Sequence, residues 1–243
     1  MPDETAAGTE HANRVREMFA TIAARYDLAN HLLSGNFDKR WRRLVIAQLR
    51  SSLPDKELLV LDVACGTGDL SLMLSEARGV RVVGTDFCRP MLDIAKRKAV
   101  KDGAAIPFVE GDALNLPFRS ASFNGVTIAF GLRNLVSPQE GLSELRRVLR
   151  PGGLAVVLEF SRPVTPLFRS LFQLYFARLL PILGGLLSGC QQAYEYLPAS
   201  VSHFADQKEL ASMMRGVGFV EVDYRNLTGG IAALHFGRRG IEN

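Results

Sequence analysis

The sequence predicts an α/β protein built on a doubly wound, mostly parallel sheet of seven strands, with a helical cap in front and an antiparallel hairpin at one edge. Three observations carry the prediction. From Leu58 onward, short β-rich runs alternate with helical ones, the order that a parallel sheet with crossover helices produces. A glycine-rich turn, Gly66-Thr67-Gly68, stands directly between the first strand and the helix after it. Near the end of the chain, two further strands are joined by Leu227-Thr228-Gly229-Gly230, a connection short enough for a hairpin.

The elements follow in order. The opening MPDETAAGTE is polar and acidic and lacks the apolar core of a signal peptide, so residues 1–13 are expected to be a disordered N-terminus. Residues 14–54 read as a helical cap. Val15, Met18, Phe19, Ile22 and Tyr26 fall at helical offsets and make one apolar stripe, and a second helix over Trp41–Leu53 ends before Pro54. The remaining chain, 55–243, reads as the sheet domain. Its strands are expected at Leu58–Val63, Arg81–Thr85, Pro107–Glu110, Gly125–Ala129 and Leu154–Phe160, with helices near Leu70–Ala77, Pro90–Asp102 and Pro138–Leu149. Arg150-Pro151-Gly152-Gly153 stops the last of these helices and turns the chain into the fifth strand. An apolar insert over about 163–205 then interrupts the alternation. Thr165-Pro166 opens a helix there that carries Phe168, Leu171, Phe172, Tyr175, Phe176, Leu179 and Leu180. Strands at Phe219–Tyr224 and Ile231–Phe236 close the chain.

Composition narrows the function. In 243 residues, 47% are hydrophobic, which is enough for a large core and excludes a disordered or collagen-like chain. Of 29 basic residues only six are lysines, yet 25 acids are spread among the bases and no run of five like charges occurs. The pI of about 9.1 therefore reads mainly as solvated surface, and nucleic acid is not expected as a partner. Cys65, Cys88 and Cys190 lack metal-ligand spacing and are expected to be reduced thiols, with no metal in the protein. The most apolar stretch, Pro166–Gly189, is broken by Arg169, Arg178, Pro181 and Gly184-Gly185, so no membrane crossing is expected.

The glycine turn points to a nucleoside-containing cofactor. Gly66 and Gly68 let backbone N–H groups approach a ligand at a helix N-terminus. Asp86, 18 residues after Gly68, ends the second strand, where a carboxylate accepts from both ribose hydroxyls. Asp112-Ala113 follow the third strand, within reach of an adenine edge. A dinucleotide fingerprint would need a third glycine where Ser71 stands, and Asp62 before the turn would repel a pyrophosphate. That carboxylate suits a sulfonium and an ammonium group, which favours S-adenosyl-L-methionine (SAM) over NAD.

Asp62-Val-Ala-Cys-Gly-Thr-Gly-Asp69, Gly84-Thr-Asp86, Gly111-Asp-Ala113 and Arg150-Pro-Gly-Gly153 together resemble the motifs of class I SAM-dependent methyltransferases, a Rossmann-like fold. More specific segments resemble the ubiquinone/menaquinone biosynthesis C-methyltransferase family. These are Val15-Arg-Glu-Met-Phe19 with Arg25-Tyr-Asp27, Ile128-Ala-Phe-Gly-Leu-Arg-Asn134, Leu158-Glu-Phe160, Tyr194-Glu-Tyr-Leu-Pro198 and Tyr224-Arg-Asn-Leu-Thr-Gly-Gly230, and the likeness spans roughly residues 14 to 239.

The resemblance implies methylation of a ring carbon of a polyprenylated quinol, with demethylmenaquinol as the substrate and a ubiquinone precursor, or both, as the alternative. A decayed fold serving as a lipid-binding module and a nucleic-acid methyltransferase are more distant readings. By the same likeness Thr67, Asp86, Asp112 and Ala113 contact the cofactor. Ala129 stands where some ubiquinone-type members carry serine. Carbon is a poor nucleophile, so a neighbouring hydroxyl must ionise or nearly so. Arg133, always protonated, is expected to stabilise the developing phenolate or to orient a water that takes the proton. His203 is the second candidate for proton transfer. Tyr26, Tyr194, Tyr196 and His31 are expected to shape the quinol pocket, and Asp27 to hold the first helix over the cofactor. The apolar insert and the cluster Arg40, Arg42 and Arg43 suggest peripheral contact with the inner face of the cell membrane from the cytoplasm. Association as a homodimer completes the expectations.

Overall fold

Leucine and valine runs with little polar interruption become central strands covered on both faces. Strands β1 (Leu58–Val63), β2 (Val80–Asp86), β3 (Phe108–Glu110), β4 (Phe123–Ala129) and β5 (Leu149–Phe160) pair in parallel, whereas β7 (Ala232–Arg239) runs antiparallel to both β5 and β6 (Phe219–Leu227). The order across the sheet is β3-β2-β1-β4-β5-β7-β6, so the expected hairpin does lie at an edge. The computed structural model describes residues 4–23, 26–27, 31, 34–53, 57–164 and 191–241.

The helices that accompany the sheet include α1 (Glu4–Ile22), α2 (Phe37–Ser52), α3 (Asp69–Ser75), α4 (Arg89–Lys101), α5 (Pro138–Val148), α6 (Gln191–His203) and α7 (Gln207–Gly216). Side chains alternate along β1, and so do its two cores. Leu58 and Val60 join Trp41, Val45 and Leu49 of α2 and Leu70 and Leu74 of α3 on one face. Leu61 and Val63 join Leu142, Leu145 and Val148 of α5 and Leu210, Ala211 and Met214 of α7 on the other. Trp41, Val45 and Leu49 are spaced by four and nearly fully buried. Each such side chain contributes about 2 kcal/mol of burial free energy, which fixes α2 against the sheet.

Three features depart from the sequence reading. Helix α1 begins at Glu4, so residues 4–13 are helical rather than disordered. Alanine and glutamate are strong helix formers, and that propensity outweighs the polarity of the segment. The Arg150-Pro151-Gly152-Gly153 run is the irregular start of β5, not a turn outside it. Leu149 pairs with Phe123 and Leu154 with Gly125, and the register shifts between the two pairs. Gly152 has φ +76°, and a Cβ on Gly153 would lie 2.9 Å from the carbonyl oxygens of Arg150 and Asn124. Helix α7 was not foreseen, although Asp206 and Glu209 form a complete capping box at its start. Helix α6 falls inside the expected insert; the insert's stretch Pro166–Gly189 lies outside the described residues.

Candidate active site

The site lies at the C-terminal ends of the central strands, beside β1, where the direction of winding changes and ligands bind in open α/β sheets. Gly66, with φ +56°, has no atom within 4 Å of where a Cβ would stand, so the backbone here faces open space. Gly68 has φ +82° and is packed under α4, because a Cβ there would lie 2.9 Å from that of Ala95. Between them the Thr67 side chain turns away from the opening, is 3% exposed, and donates its hydroxyl to Asp27 at 2.5 Å.

An open cleft runs along this turn, a concave site of the kind in which small molecules bind. One wall carries Gly66, Asp86, Phe87, Gly111, Asp112 and Ala113; the other carries Ala129, Phe130, Gly131, Asn134, Leu135 and Val136. Ala12, Arg16, Phe19 and Tyr26 of the cap complete it, with Phe19 and Tyr26 packed edge to face at 5.9 Å.

Asp86 is held by the backbone. Oδ2 accepts from the Gly66 N–H and Oδ1 from the Cys88 N–H, each at 2.8 Å. Burial pushes its pKa up to about 6, against the lowering effect of those N–H groups. Each carboxylate oxygen keeps a second lone pair, which suits a diol. Asp112 is exposed and accepts from the Leu114 N–H at 2.9 Å, which shapes the loop beside Ala113. Asp62 is placed differently. It lies beneath the turn, 1% exposed, accepting from Ser71 at 2.6 Å and Thr127 at 2.8 Å, and burial raises its pKa to about 6. It does not line the cleft.

The two proton-transfer candidates lie outside the cleft lining. Arg133 follows β4 as expected, but its guanidinium turns under the wall. Nη1 donates to Glu159 Oε1 at 2.8 Å and to the Phe130 carbonyl at 2.5 Å, and the group lies 5.3 Å from the centre of the Phe160 ring. The side chains of the pair are only 6% and 1% exposed. This is the geometry of a buried ion pair shaping the Phe130–Asn134 wall. His203 ends α6, exposed, with Nδ1 2.7 Å from the Ala199 carbonyl oxygen. The same carbonyl also accepts from the Ser202 hydroxyl at 2.8 Å, so the imidazole is tied to its own helix.

Tyr196 reaches the site indirectly, donating to Asn134 Oδ1 at 3.1 Å; burial raises its pKa, so it stays a neutral donor. Tyr194 falls within α6, and its side chain lies outside the described part of the structure. His31 sits away from the cleft lining, between Asp38 and Asp69. Of the three arginines expected to face a membrane, Arg42 points inward. It is 9% exposed, paired with Asp38 and set 5.7 Å from the Phe130 ring, while Arg40 and Arg43 are exposed. Residues whose roles sequence reasoning missed are Lys98, whose partners are distant in sequence, and Glu159 and Asn134, recognised only as parts of motifs.

Whether these residues suit SAM is tested by the turn itself. Gly66 leaves room for a ligand where a side chain would intrude, Asp86 offers a diol acceptor at the end of β2, and Asp112 and Ala113 line the cleft beyond the end of β3. The group fits, and the sheet order with this strand-end site defines a class I SAM-dependent methyltransferase. Solved structures share the fold. A SAM-dependent methyltransferase from Aquifex aeolicus aligns with TM-score 0.56 at 16% identity, covering 81% of this chain and 88% of its own. The [4+2]-cyclase SpnF aligns with TM-score 0.63 at 18% identity, covering 83% and 82%.

Sequence likeness is narrower than fold. The model of the ubiE/COQ5 methyltransferase family matches residues 7–239, and the chain belongs to that family. A demethylmenaquinone methyltransferase from Thermus thermophilus is 51% identical, over 91% of this chain and the whole of the relative. One from Deinococcus radiodurans is 50% identical, over 92% and 91%. A ubiquinone/menaquinone biosynthesis C-methyltransferase from Geotalea uraniireducens is 42% identical, over 95% and 98%.

Proposed function

We propose that the protein methylates a ring carbon of demethylmenaquinol, giving menaquinol. The observation that carries the reading is the two-sided cleft, with a polar wall at Gly66, Asp86 and Asp112 facing an apolar one at Ala129, Phe130, Leu135 and Val136. The family and the names of the 51% and 50% identical relatives supply the substrate class. SAM, when bound, supplies an electrophilic methyl on a sulfonium; the ring carbon forms the new C–C bond as the S–C bond breaks, and the ring proton leaves to water.

The chain's own contribution is to hold the two reactants and to favour the ionised quinol. Asp86 orients the ribose, and Phe19, Tyr26 and Phe130 exclude water around the ring. Asn134 is fixed by Tyr196 and by its own amide donating to the Phe130 carbonyl at 3.3 Å. Its second amide hydrogen is the polar donor that the apolar wall offers to a developing phenolate. Incubation with methyl-labelled SAM and reduced short-chain demethylmenaquinone is expected to give labelled menaquinol by mass spectrometry. Label found only on a ubiquinone precursor would replace the substrate, and label on neither would reject the reading.

A lipid substrate places the work at a membrane, and among the described residues no helix is long and apolar enough to cross one. Contact is proposed from the inner face. Lys39, Arg40, Arg43 and Arg50 are exposed along one side of α2, and Phe37 at its start is 43% exposed. Such a face is attracted to anionic headgroups by about 1 kcal/mol per base. Binding to vesicles is expected to rise with phosphatidylglycerol content and to fall with salt; binding indifferent to both would remove this part of the reading.

A further inference from the structure

Seven side chains outside the cleft lie end to end. Arg42 donates to Asp38 Oδ2 at 2.5 Å, and His31 Nδ1 is 2.8 Å from the same oxygen. His31 Nε2 lies 3.5 Å from Asp69. Lys98 donates to Asp69 and, at 3.0 Å, to Asp27, whose other oxygen accepts from Thr67. The ion-paired members are only 6% to 28% exposed. The chain crosses α2, the cap residues Asp27 and His31, α4 and the start of α3, and ends in the glycine turn.

His31, Asp38 and Asp69 have donor atoms within 4.8 Å of one another, a metal-like spacing. Arg42 and Lys98 already neutralise the two carboxylates, so the arrangement is an ion-pair chain rather than a metal centre. Burial opposes the charge of Lys98, but Asp69 and Asp27 outweigh it and hold its pKa above the usual lysine value. Burial likewise opposes ionisation of Asp38, and Ser34, Arg42 and His31 together bring its pKa below the usual carboxylate value.

We propose that this chain sets the geometry of the cofactor turn from outside the cleft, with Lys98 as its central positioning residue. It rests on the reading of the cleft as the SAM site. Thr67 and Asp69 flank Gly68, so Asp27 and Lys98 grip the turn on both sides, and Tyr26, beside Asp27, lines the cleft. Among the described residues, the cap attaches to this region through an apolar cluster of Ala23, Cys88 and Met91, with Phe19, Tyr26 and Phe87 packed against it. Without Lys98, the Asp27 and Asp69 carboxylates face each other with no cation between them. Their repulsion drives the cap from the turn, and bound SAM leaves faster.

Lys98→Met keeps the aliphatic stem and removes the charge. Calorimetry with SAM and stopped-flow fluorescence of Trp41, the sole tryptophan, read the consequence without turnover. The Kd and dissociation rate are expected to rise about 10-fold, and KM for SAM with them; because Phe19 and Tyr26 line the cleft and move with the cap, kcat should fall and the quinol KM rise by a smaller factor. Lys98→Arg should restore affinity, and Asp27→Asn combined with Lys98→Met should restore part of it by removing the repulsion. A folded Lys98→Met variant with unchanged SAM affinity overturns the proposal, as does a loss confined to kcat or to the quinol. If Lys98→Met does not fold, Asp27→Asn carries the same expectation, and unchanged affinity there is equally decisive. Wild-type protein that fails to bind SAM overturns both this and the reading of the cleft.

Discussion

Asp86→Asn is expected to weaken SAM binding about 100-fold, or about 3 kcal/mol, because hydrogen bonds from two ribose hydroxyls to a buried carboxylate are worth about 1.5–3 kcal/mol each and asparagine offers only one acceptor oxygen. Calorimetry reads the loss directly. The same carboxylate predicts a pH dependence. With its pKa raised to about 6, Asp86 gains a proton as pH falls through that value and loses acceptor capacity. SAM affinity of the wild type should therefore fall below pH 6, and that decline should be absent from Asp86→Asn. An asparagine variant with wild-type affinity would remove Asp86 from the cofactor contacts.

Asp62 provides the contrast, because its environment raises its pKa to the same value without placing it in the cleft. A folded-state pKa raised from 3.8 to about 6 contributes stability that is complete below 3.8 and lost as pH rises through 6. At pH 7 the buried charge costs on the order of 3 kcal/mol. In Asp62→Asn, the Ser71 and Thr127 hydroxyls can rotate to accept as well as donate. The variant should thus gain about 1–3 kcal/mol at pH 7, lose the advantage by pH 4, and keep SAM affinity within about five-fold. His235, whose pKa burial pushes down, weakens both proteins alike as pH falls below its ordinary value, so the difference between them isolates Asp62.

Local signals made the strands and the strand-end acids legible. β1, β2 and β4 are β-branched or leucine-rich runs bounded by glycine and acid, and Asp86 follows because a strand must end before α4 can begin. Thr67 shows where such reasoning stops. It lies in the expected turn, but left-handed backbone at Gly66 and Gly68 directs its side chain to Asp27, 40 residues away. Lys98 looks like one base among several on an exposed helix until α4 docks and the cap brings Asp27 to it. Arg133 was found from its position after β4, but its role depends on Glu159, which adjoins it only because β4 and β5 are neighbours. His203 is attractive as a residue type, and the end of α6 places it outside the cleft lining.

Arg133→Ala is expected to destabilise the protein by about 3–5 kcal/mol, since it leaves the Glu159 carboxylate, 1% exposed, without its cation and the Phe130 carbonyl without that donor. For a chain of this length, the melting temperature should fall by roughly 10 °C. Turnover should fall too, because Phe130 and Asn134 form the apolar wall and Phe130 is held at φ +60°, a conformation the surrounding contacts must enforce. Loss of activity alone therefore does not separate a positioning role from direct action on the quinol. Arg133→Met combined with Glu159→Gln does, because it removes both buried charges while preserving much of the side-chain volume. If the guanidinium positions the wall, the double variant should regain most of the stability and recover kcat to within about 10-fold. Recovery of the melting temperature with kcat still about 1,000-fold down would instead put the guanidinium in contact with the developing phenolate, a loss on the scale of a missing oxyanion donor. The position of Arg133 beneath the cleft wall, bonded to Glu159 and Phe130, favours the first outcome.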